Sequence, residues 1–415
     1  MPSEIALHSP LDMHIHFREG AMLDLVAPLT AETFAGGVIM PNLVPPVLKT
    51  VDAVAYRERI LSALPKGSDF VPLMTAYLTD GTDSADLASG FEQGVLTAAK
   101  LYPAGATTNS DSGVTDIRNI DAVLKTMAEI GMPLLVHGEV TDADVDIFDR
   151  EKVFIERILA PTLERLPDLK VVFEHVTTAE GVAFVRGAGG NVGATITPHH
   201  LVINRNAMFA GGMRPHMYCL PVAKRECHRL ALREAATSGD PSYFLGTDSA
   251  PHPVSLKETD CGCAGVFNAP SALEVYSQVF EDENALDRLE AERAAQLTAT
   301  EIDTPTAAAP AERRVAELGV GDVDAAVACG HPDLAPAAAA LEPHGVRLAV
   351  AVDHDDAPFA WVAAAAKVHH GLPLHEHGGV RLLFSSRIIT VCYTHLRAHE
   401  TDSYLVCRLL LEKKK

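Results

Sequence analysis

The strongest constraint on this sequence is an alternation. Up to about residue 290, short apolar runs closed by polar, Gly or Pro residues take turns with longer stretches of helical character. Eight runs read as strands: Met13–Phe17, Gly37–Met40, Phe70–Ala76, Thr97–Tyr102, Pro133–His137, Lys170–His175, Asn191–Thr197 and Tyr243–Thr247. Between most of them lie helical stretches such as Thr50–Leu64 and Asp121–Ile130. This alternation predicts a parallel sheet with helices outside it. Eight such units in succession predict an α/β fold of the (β/α)8 TIM-barrel type. An open doubly wound sheet competes with it, but should carry a Gly-rich phosphate loop after an early strand. No G-x-G-x-x-G or P-loop pattern occurs here.

Composition narrows the partners. Of 415 residues 47% are hydrophobic, enough for a sizeable core. With 55 acidic against 34 basic residues the formal net charge is −21, which argues against a nucleic-acid or anionic-membrane partner. The first residues, MPSEIALHSP, lack the basic and apolar regions of a signal peptide, and no apolar run is long enough to span a bilayer. Seven cysteines, an odd number without a framework, suit a reducing cytoplasm.

The chemistry begins in Leu11–Gly20, LDMHIHFREG. Residues i and i+2 of a strand share a face. His14 and His16 should therefore point together toward the barrel mouth, with Met13, Ile15 and Phe17 turned to the surrounding helices. An isolated H-x-H is weak, and two histidines on an exposed strand face would look the same. The company it keeps decides otherwise. His137, His175 and Asp248 each stand at or just past the C-terminal end of a different strand. Lys100 lies inside the apolar run LTAAKLYP. Burial there favours a neutral amine, which can react with carbon dioxide to give a carbamate, an anionic oxygen ligand. Taken alone, Lys100 would read as a lysine that snorkels to the surface.

This set, H-x-H on the first strand, Lys on the fourth, His on the fifth and sixth and Asp on the eighth, resembles the amidohydrolase superfamily. The stretches MHIHFREG, MPNLVPP, KLYPAGATTNSDSGVTD, FEHVTT, TPHHLVINRN, RPHMYCLP, LGTDSAPH and CGCAGVFNAPSALE are similar to those of dihydroorotases of the short bacterial type. The resemblance covers roughly residues 5–290, in family order. It implies two zinc ions per chain, with His14, His16 and Asp248 on one and His137 and His175 on the other. Lys100, as N6-carboxylysine, would bridge both together with a hydroxide. Asp248 would also move the proton from the nucleophile to the leaving ring nitrogen.

The implied reaction is the reversible cyclisation of N-carbamoyl-L-aspartate to L-dihydroorotate plus water, in de novo pyrimidine biosynthesis. Arg18, Asn42 and His252 would hold the substrate carboxylate, Arg18 through its bidentate fork. Backbone groups of Leu220 and Ala264 would contact the ring. Thr107 and Thr108, in the polar loop GATTNSDSG, would close over it. A homodimer is expected. Alternatives are another cyclic-amide hydrolase, hydantoinase- or allantoinase-like, and an inactive scaffold. Asp12 is expected to orient a ligand imidazole. His199, His200 and His216 read as structural or supporting. Cys261 and Cys263, without a second pair, do not read as a structural zinc site.

Past residue 290 the texture changes. Alanine dominates from Ala291 to Ala366, in runs such as Ala337–Ala340 and Ala363–Ala366. His369, His370, His375 and His377 cluster without strand or helix pattern. The family continues past Leu286 with more helices, and ERAAQLTATEIDTPTAAAPAERRV matches none of that. Alanine-rich text with stray His, Pro and Arg is what GC-rich DNA gives when read out of frame. The expected organisation is therefore a catalytic barrel over 1–290, an Ala-rich segment of frameshift origin over 291–390, and a non-native tail over 391–415 similar to translated sequencing-adapter text. A genuine second domain is the alternative.

Overall fold

The eight apolar runs become eight strands: β1 Leu11–Ile15, β2 Gly36–Ile39, β3 Val71–Tyr77, β4 Ala98–Leu101, β5 Leu134–Val136, β6 Val171–Phe173, β7 Val192–Ile196 and β8 Tyr243–Leu245. The structure is a computed structural model, which describes residues 7, 9–260, 262–289, 393–397 and 404–408. The strands pair in parallel in sequence order from β1 to β8. The last returns to the first through a parallel bridge between Ile15 and Ser249. Across that seam the His16 N–H donates to Ser249 O (3.0 Å), and the Asp248 N–H to His14 O (2.9 Å). The sheet thus closes, as the alternation predicts, and the seam brings the first and last chemical residues together.

The predicted helices form with local reasons. Thr50–Ala63 starts where the backbone N–H of Lys49 donates to the Asp52 carboxylate, which satisfies one orphan group of the first turn. Asp121–Ile130 ends at Gly131, whose φ of 72° gives the left-handed cap that glycine adopts without strain.

Side-chain parity divides the core in two. Ile15, Phe17, Ala99, Leu101, Leu134, Val136, Val171 and Phe173 face outward and join the helices in one large apolar cluster. Met13, Val38, Met40, Ala98, Leu135 and Phe244, with Leu11, Leu73 and Val172 against them, form a second cluster from seven strands. Only the barrel interior can gather residues from so many strands, so this apolar plug fills the N-terminal half. The next inward positions toward the C-terminal end carry His14, Lys100, His137 and Glu174.

One expectation needs correction. Met13 sits in the interior plug and does not face the helices with Ile15 and Phe17. The register explains it: Asp12 pairs with Gly37 and Ile15 with Ile39, so β1 takes three steps against two on β2. The extra residue is a bulge, which flips parity. Met13 and His14, adjacent in sequence, therefore both point inward.

Among the described residues no helix is long and apolar enough to cross a membrane. In the C-terminal part, Tyr393–Arg397 and Tyr404–Arg408 pair as an antiparallel two-stranded sheet. The other positions of the two expected tail segments, the histidine cluster included, lie outside the described residues, as does Cys261.

Candidate metal centre

His14 and His16 are almost fully buried, at 1% and 7% exposure. Their outer nitrogens are committed to acceptors. Nδ1 of His14 lies 2.5 Å from Glu174 Oε2, and Nδ1 of His16 lies 2.8 Å from Asn42 Oδ1. The Asn42 amide is oriented by its other end, which donates to Thr108 O (3.0 Å). Each imidazole must then carry its proton on Nδ1 and present a lone pair at Nε2. The two Nε2 atoms stand 3.2 Å apart, and Asp248 Oδ1 lies 3.3 Å and 3.1 Å from them. Three lone pairs converge with no proton to share. Nitrogen and oxygen ligands at roughly 2.0–2.2 Å from one ion make a triangle of this size.

Electrostatics agree with that reading. Burial pushes the His16 imidazole down to about 3 and His175 well below its ordinary value, so both are neutral.

The second half of the site lies across the barrel. The His137 ring centre is 4.9 Å from that of His175, which is 5.1 Å from His14. Nδ1 of His175 is buried without a hydrogen-bond partner among the described residues. Nε2 of His137 lies 3.1 Å from Glu139 Oε2. Lys100 is fully buried, and its Nζ also has no hydrogen-bond partner among the described residues. Burial lowers its ammonium from 10.5 to about 8. Glu174 and Asp248 act against that shift, and the neutral, reactive amine is far more accessible near neutral pH than on an ordinary lysine.

Two expected ligands sit in strained backbone. His175 has φ of 41° and Asp248 of 45°; Arg18, beyond β1, has 63°. Non-glycine residues rarely adopt this region, and such strain clusters where side chains must be aimed. At His175 the turn matters most. Phe173 faces outward, so Glu174 faces inward and strict alternation would send His175 out. The left-handed backbone brings it back beside Glu174, and Thr195 Oγ1 accepts its N–H (2.6 Å).

One pocket gathers His14, His16, Arg18, Asn42, Tyr102, Thr107, Thr108, His137, His175, Leu220, Asp248 and Ala264. Arg18 pairs with no carboxylate among the described residues. Its Nε donates to Pro251 O (3.2 Å), and its Nη2 is 3.1 Å from Nε2 of His252. That His252 nitrogen is also 2.9 Å from Ala264 O. A surface salt bridge with Glu19 is not how Arg18 is used, because Glu19 pairs with Arg59 (2.6 Å). Asn42 spends one amide proton on Thr108 and keeps one. The loop 105–113 folds toward the mouth: besides Thr108, Asn109 donates to Asn42 O (3.0 Å). Lys257 ties the opposite rim, with Nζ donating to the carbonyls of Tyr218 (3.1 Å), Cys263 (2.8 Å) and Gly265 (2.6 Å).

Sequence reasoning missed Glu174, Glu139, Tyr102 and Lys257. Glu174 stands beside a quoted histidine, and Tyr102 shares the parity of Lys100, so both left a signal. Asp12 is corrected: its carboxylate accepts from the His14 backbone N–H (3.1 Å) and from Thr247 N (2.8 Å) and Oγ1 (2.5 Å), and pins the β1–β8 seam. The imidazole of His14 is oriented by Glu174 instead. A second group with ligand character, His199, His200 and Cys219, is mostly engaged in the protein, with Nε2 of His199 buried and without a hydrogen-bond partner among the described residues. Nδ1 of His199 accepts from Asn268 (2.9 Å), and His200 is held by Thr197 Oγ1 (2.8 Å) and Pro221 O (3.1 Å). The Cys219 thiol donates to Pro221 O (3.3 Å). His216 pairs with Glu258 (2.7 Å).

Comparison with known proteins adds to this geometry. The sequence profile of the amidohydrolase family matches residues 9–302. A dihydroorotase of Erythrobacter litoralis is 62% identical over 291 residues, which cover 70% of this chain and 85% of that one. Among solved structures, the dihydroorotase of Saccharomyces cerevisiae in complex with 5-fluoroorotic acid aligns with a TM-score of 0.68 and 33% identity, over 72% of this chain and 86% of that one. An L-hydantoinase of Arthrobacter aurescens aligns with a TM-score of 0.59 at 17% identity, over 69% of each chain; it shares the fold.

Proposed function

The chain belongs to the amidohydrolase family and, within it, to the dihydroorotases, hydrolases of cyclic amide bonds; from that premise we propose that it interconverts N-carbamoyl-L-aspartate and L-dihydroorotate in pyrimidine biosynthesis, with two zinc ions per chain. One observation carries the reading: an arginine with no carboxylate partner among the described residues shares its pocket with three lone pairs converged for a cation.

The residues fit the metal. Nε2 of His14, Nε2 of His16 and Oδ1 of Asp248 would hold one ion, and His137 and His175 the other. Lys100, whose lowered pKa makes its amine available for carbamylation, would then supply anionic oxygen ligands; its Nζ and the Nδ1 of His175, both without a partner among the described residues, support this. When bound, the ions would acidify a water and polarise the amide carbonyl.

The chain's own groups do the rest. Arg18, Asn42 and His252 bind the substrate carboxylate, the guanidinium by two parallel hydrogen bonds. Backbone groups at Leu220 and Ala264 set the ring edge. Asp248 takes a proton from the attacking water and delivers it to the ring nitrogen as the C–N bond breaks; in cyclisation it runs in reverse. Thr107 and Thr108 close the mouth and exclude water. We further propose a cytoplasmic homodimer, and that residues 291–415 are no part of the catalytic barrel.

The test is L-dihydroorotate hydrolysis by this chain and by Lys100→Ala, both zinc-loaded, with metal analysis. Turnover with about two zinc ions per chain, both lost in the variant, is expected. A chain that stays metal-free and inactive in excess zinc would overturn the proposal.

A further inference from the structure

Four buried tyrosines each give their hydroxyl to a backbone carbonyl. Tyr56 donates to Arg18 O (2.9 Å), Tyr77 to Asn109 O (3.3 Å), Tyr243 to Val182 O (2.6 Å) and Tyr276 to Ile196 O (2.8 Å). Tyr102 differs. It is 1% exposed, and its hydroxyl oxygen has no hydrogen-bond partner among the described residues. Tyrosine hydroxyls usually find a partner when buried, so the exception calls for a physical reason.

Its surroundings supply one. Tyr102 follows β4 at the parity of Lys100, one inward position nearer the mouth, and lines the pocket with Arg18, His137 and Asp248. The ring is held from several sides. Tyr77 packs with ring centres 5.1 Å apart, His137 with 6.2 Å, and Lys100 Nζ lies 5.1 Å from the ring centre. A ring so confined cannot swing its hydroxyl away to find water. The protein leaves that donor without an acceptor, and the pocket it lines is where one can arrive.

We propose that Tyr102 is a substrate-contacting residue whose hydroxyl donates a hydrogen bond to an amide carbonyl oxygen of the bound substrate. This rests on the proposed reading of the pocket as a site for a cyclic-amide acid. Arg18 holds the carboxylate from the end of β1, while Tyr102 stands on β4, well round the barrel and beside Lys100. The two residues thus grip opposite ends of one small molecule, which gives the unsatisfied hydroxyl a purpose that packing does not.

The variant Tyr102→Phe removes the oxygen and keeps the ring. It is compared with the parent chain, both zinc-loaded, by zinc content, ligand-free melting temperature, kcat and KM for L-dihydroorotate, and affinity for orotate. The expected result is unchanged zinc, an equal or higher melting temperature because no protein bond is lost, and kcat/KM lower by about tenfold or more with weaker orotate binding. A hydroxyl bonded to protein would lower the melting temperature, and one serving the metal would lower zinc content; either overturns the proposal. So does kcat/KM within about twofold of the parent. Arg18→Met separates the layers. If it still turns over L-dihydroorotate, the substrate reading fails; if it is silent while Tyr102→Phe equals the parent, only the Tyr102 assignment fails.

Discussion

The carboxylate of Glu174 sits 2.5 Å from Nδ1 of His14, and Thr195 Oγ1 donates to the same oxygen at 2.8 Å. This contact fixes which nitrogen of His14 keeps its proton, and so turns a lone pair toward His16 and Asp248. Supporting carboxylates of this kind typically contribute 10–100-fold to metal affinity. Glu174→Gln keeps the shape and loses the charge. It is expected to weaken zinc binding by roughly tenfold or more, measured by competition with a chelator, with little change in far-UV circular dichroism.

Gly138, one residue past His137, lies against Phe173. A Cβ there would stand 1.8 Å from Phe173 Cε2, far closer than van der Waals contact with a fully buried ring allows. Gly138→Ala must displace either Phe173 or the chain that carries His137. Overpacking of this kind costs about 1–3 kcal/mol. The expected outcome is a melting temperature lower by several degrees together with reduced zinc content. Parental values of both would show that the barrel wall gives way freely.

The eight strands were readable because each buried run is short, β-rich and closed by turn residues. The expected ligand set could be drawn up because five of its six residues stand at strand ends and the sixth, Lys100, breaks an apolar run. What stayed hidden depends on backbone that departs from strict alternation. The β1 bulge puts Met13 and His14 on one face, and the left-handed His175 puts Glu174 and His175 side by side; a period of two cannot express either. The clamp of Lys257 stayed hidden because its partners are carbonyls, which carry no residue identity.

That clamp carries a pH prediction. Burial pushes the Lys257 ammonium from 10.5 down to about 8, with the thiols of Cys219 and Cys263 acting against the shift. Between about pH 8 and 10.5 the unfolded chain binds more protons at this group than the folded one, so its contribution to stability rises with pH. The clamp does the reverse. A neutral amine has two N–H groups for three carbonyls, so the rim holding Leu220 and Ala264 loosens above about pH 8. KM for L-dihydroorotate should then rise a few-fold between pH 7.5 and 9 in the parent chain. In Lys257→Arg, whose guanidinium stays charged, that component should be missing. Identical pH profiles for the two would remove Lys257 from substrate binding.

The frameshift expectation is testable without protein. If residues 291–390 come from a shifted frame, the source DNA beyond codon 290 should encode helices that continue the family's chain in another frame. The relatives bound the length to look for: the alignment to the Erythrobacter litoralis dihydroorotase covers 85% of that protein, so at most the remaining 15% would be recovered. If none of the three frames yields it, the Ala-rich segment belongs to the gene as it stands.

Arg18 decides between the dihydroorotases and the neutral cyclic-amide hydrolases that share the fold. Its guanidinium faces the pocket with no carboxylate partner among the described residues, held there by Pro251 O and the His252 ring. A substrate carboxylate would fill that deficit, whereas a hydantoin ring offers no anion. A charge-assisted bidentate pair lost from a desolvated site costs several kcal/mol, or roughly 10²–10⁴ in kcat/KM. Arg18→Met should therefore reduce L-dihydroorotate turnover by that range and leave any slow hydrolysis of unsubstituted hydantoin within a few-fold of the parent. The proposed zinc site would not involve Arg18, so metal content should stay the same. Equal losses on both substrates would mean that Arg18 supports the pocket walls and not the substrate, and the carboxylate assignment would fall with it.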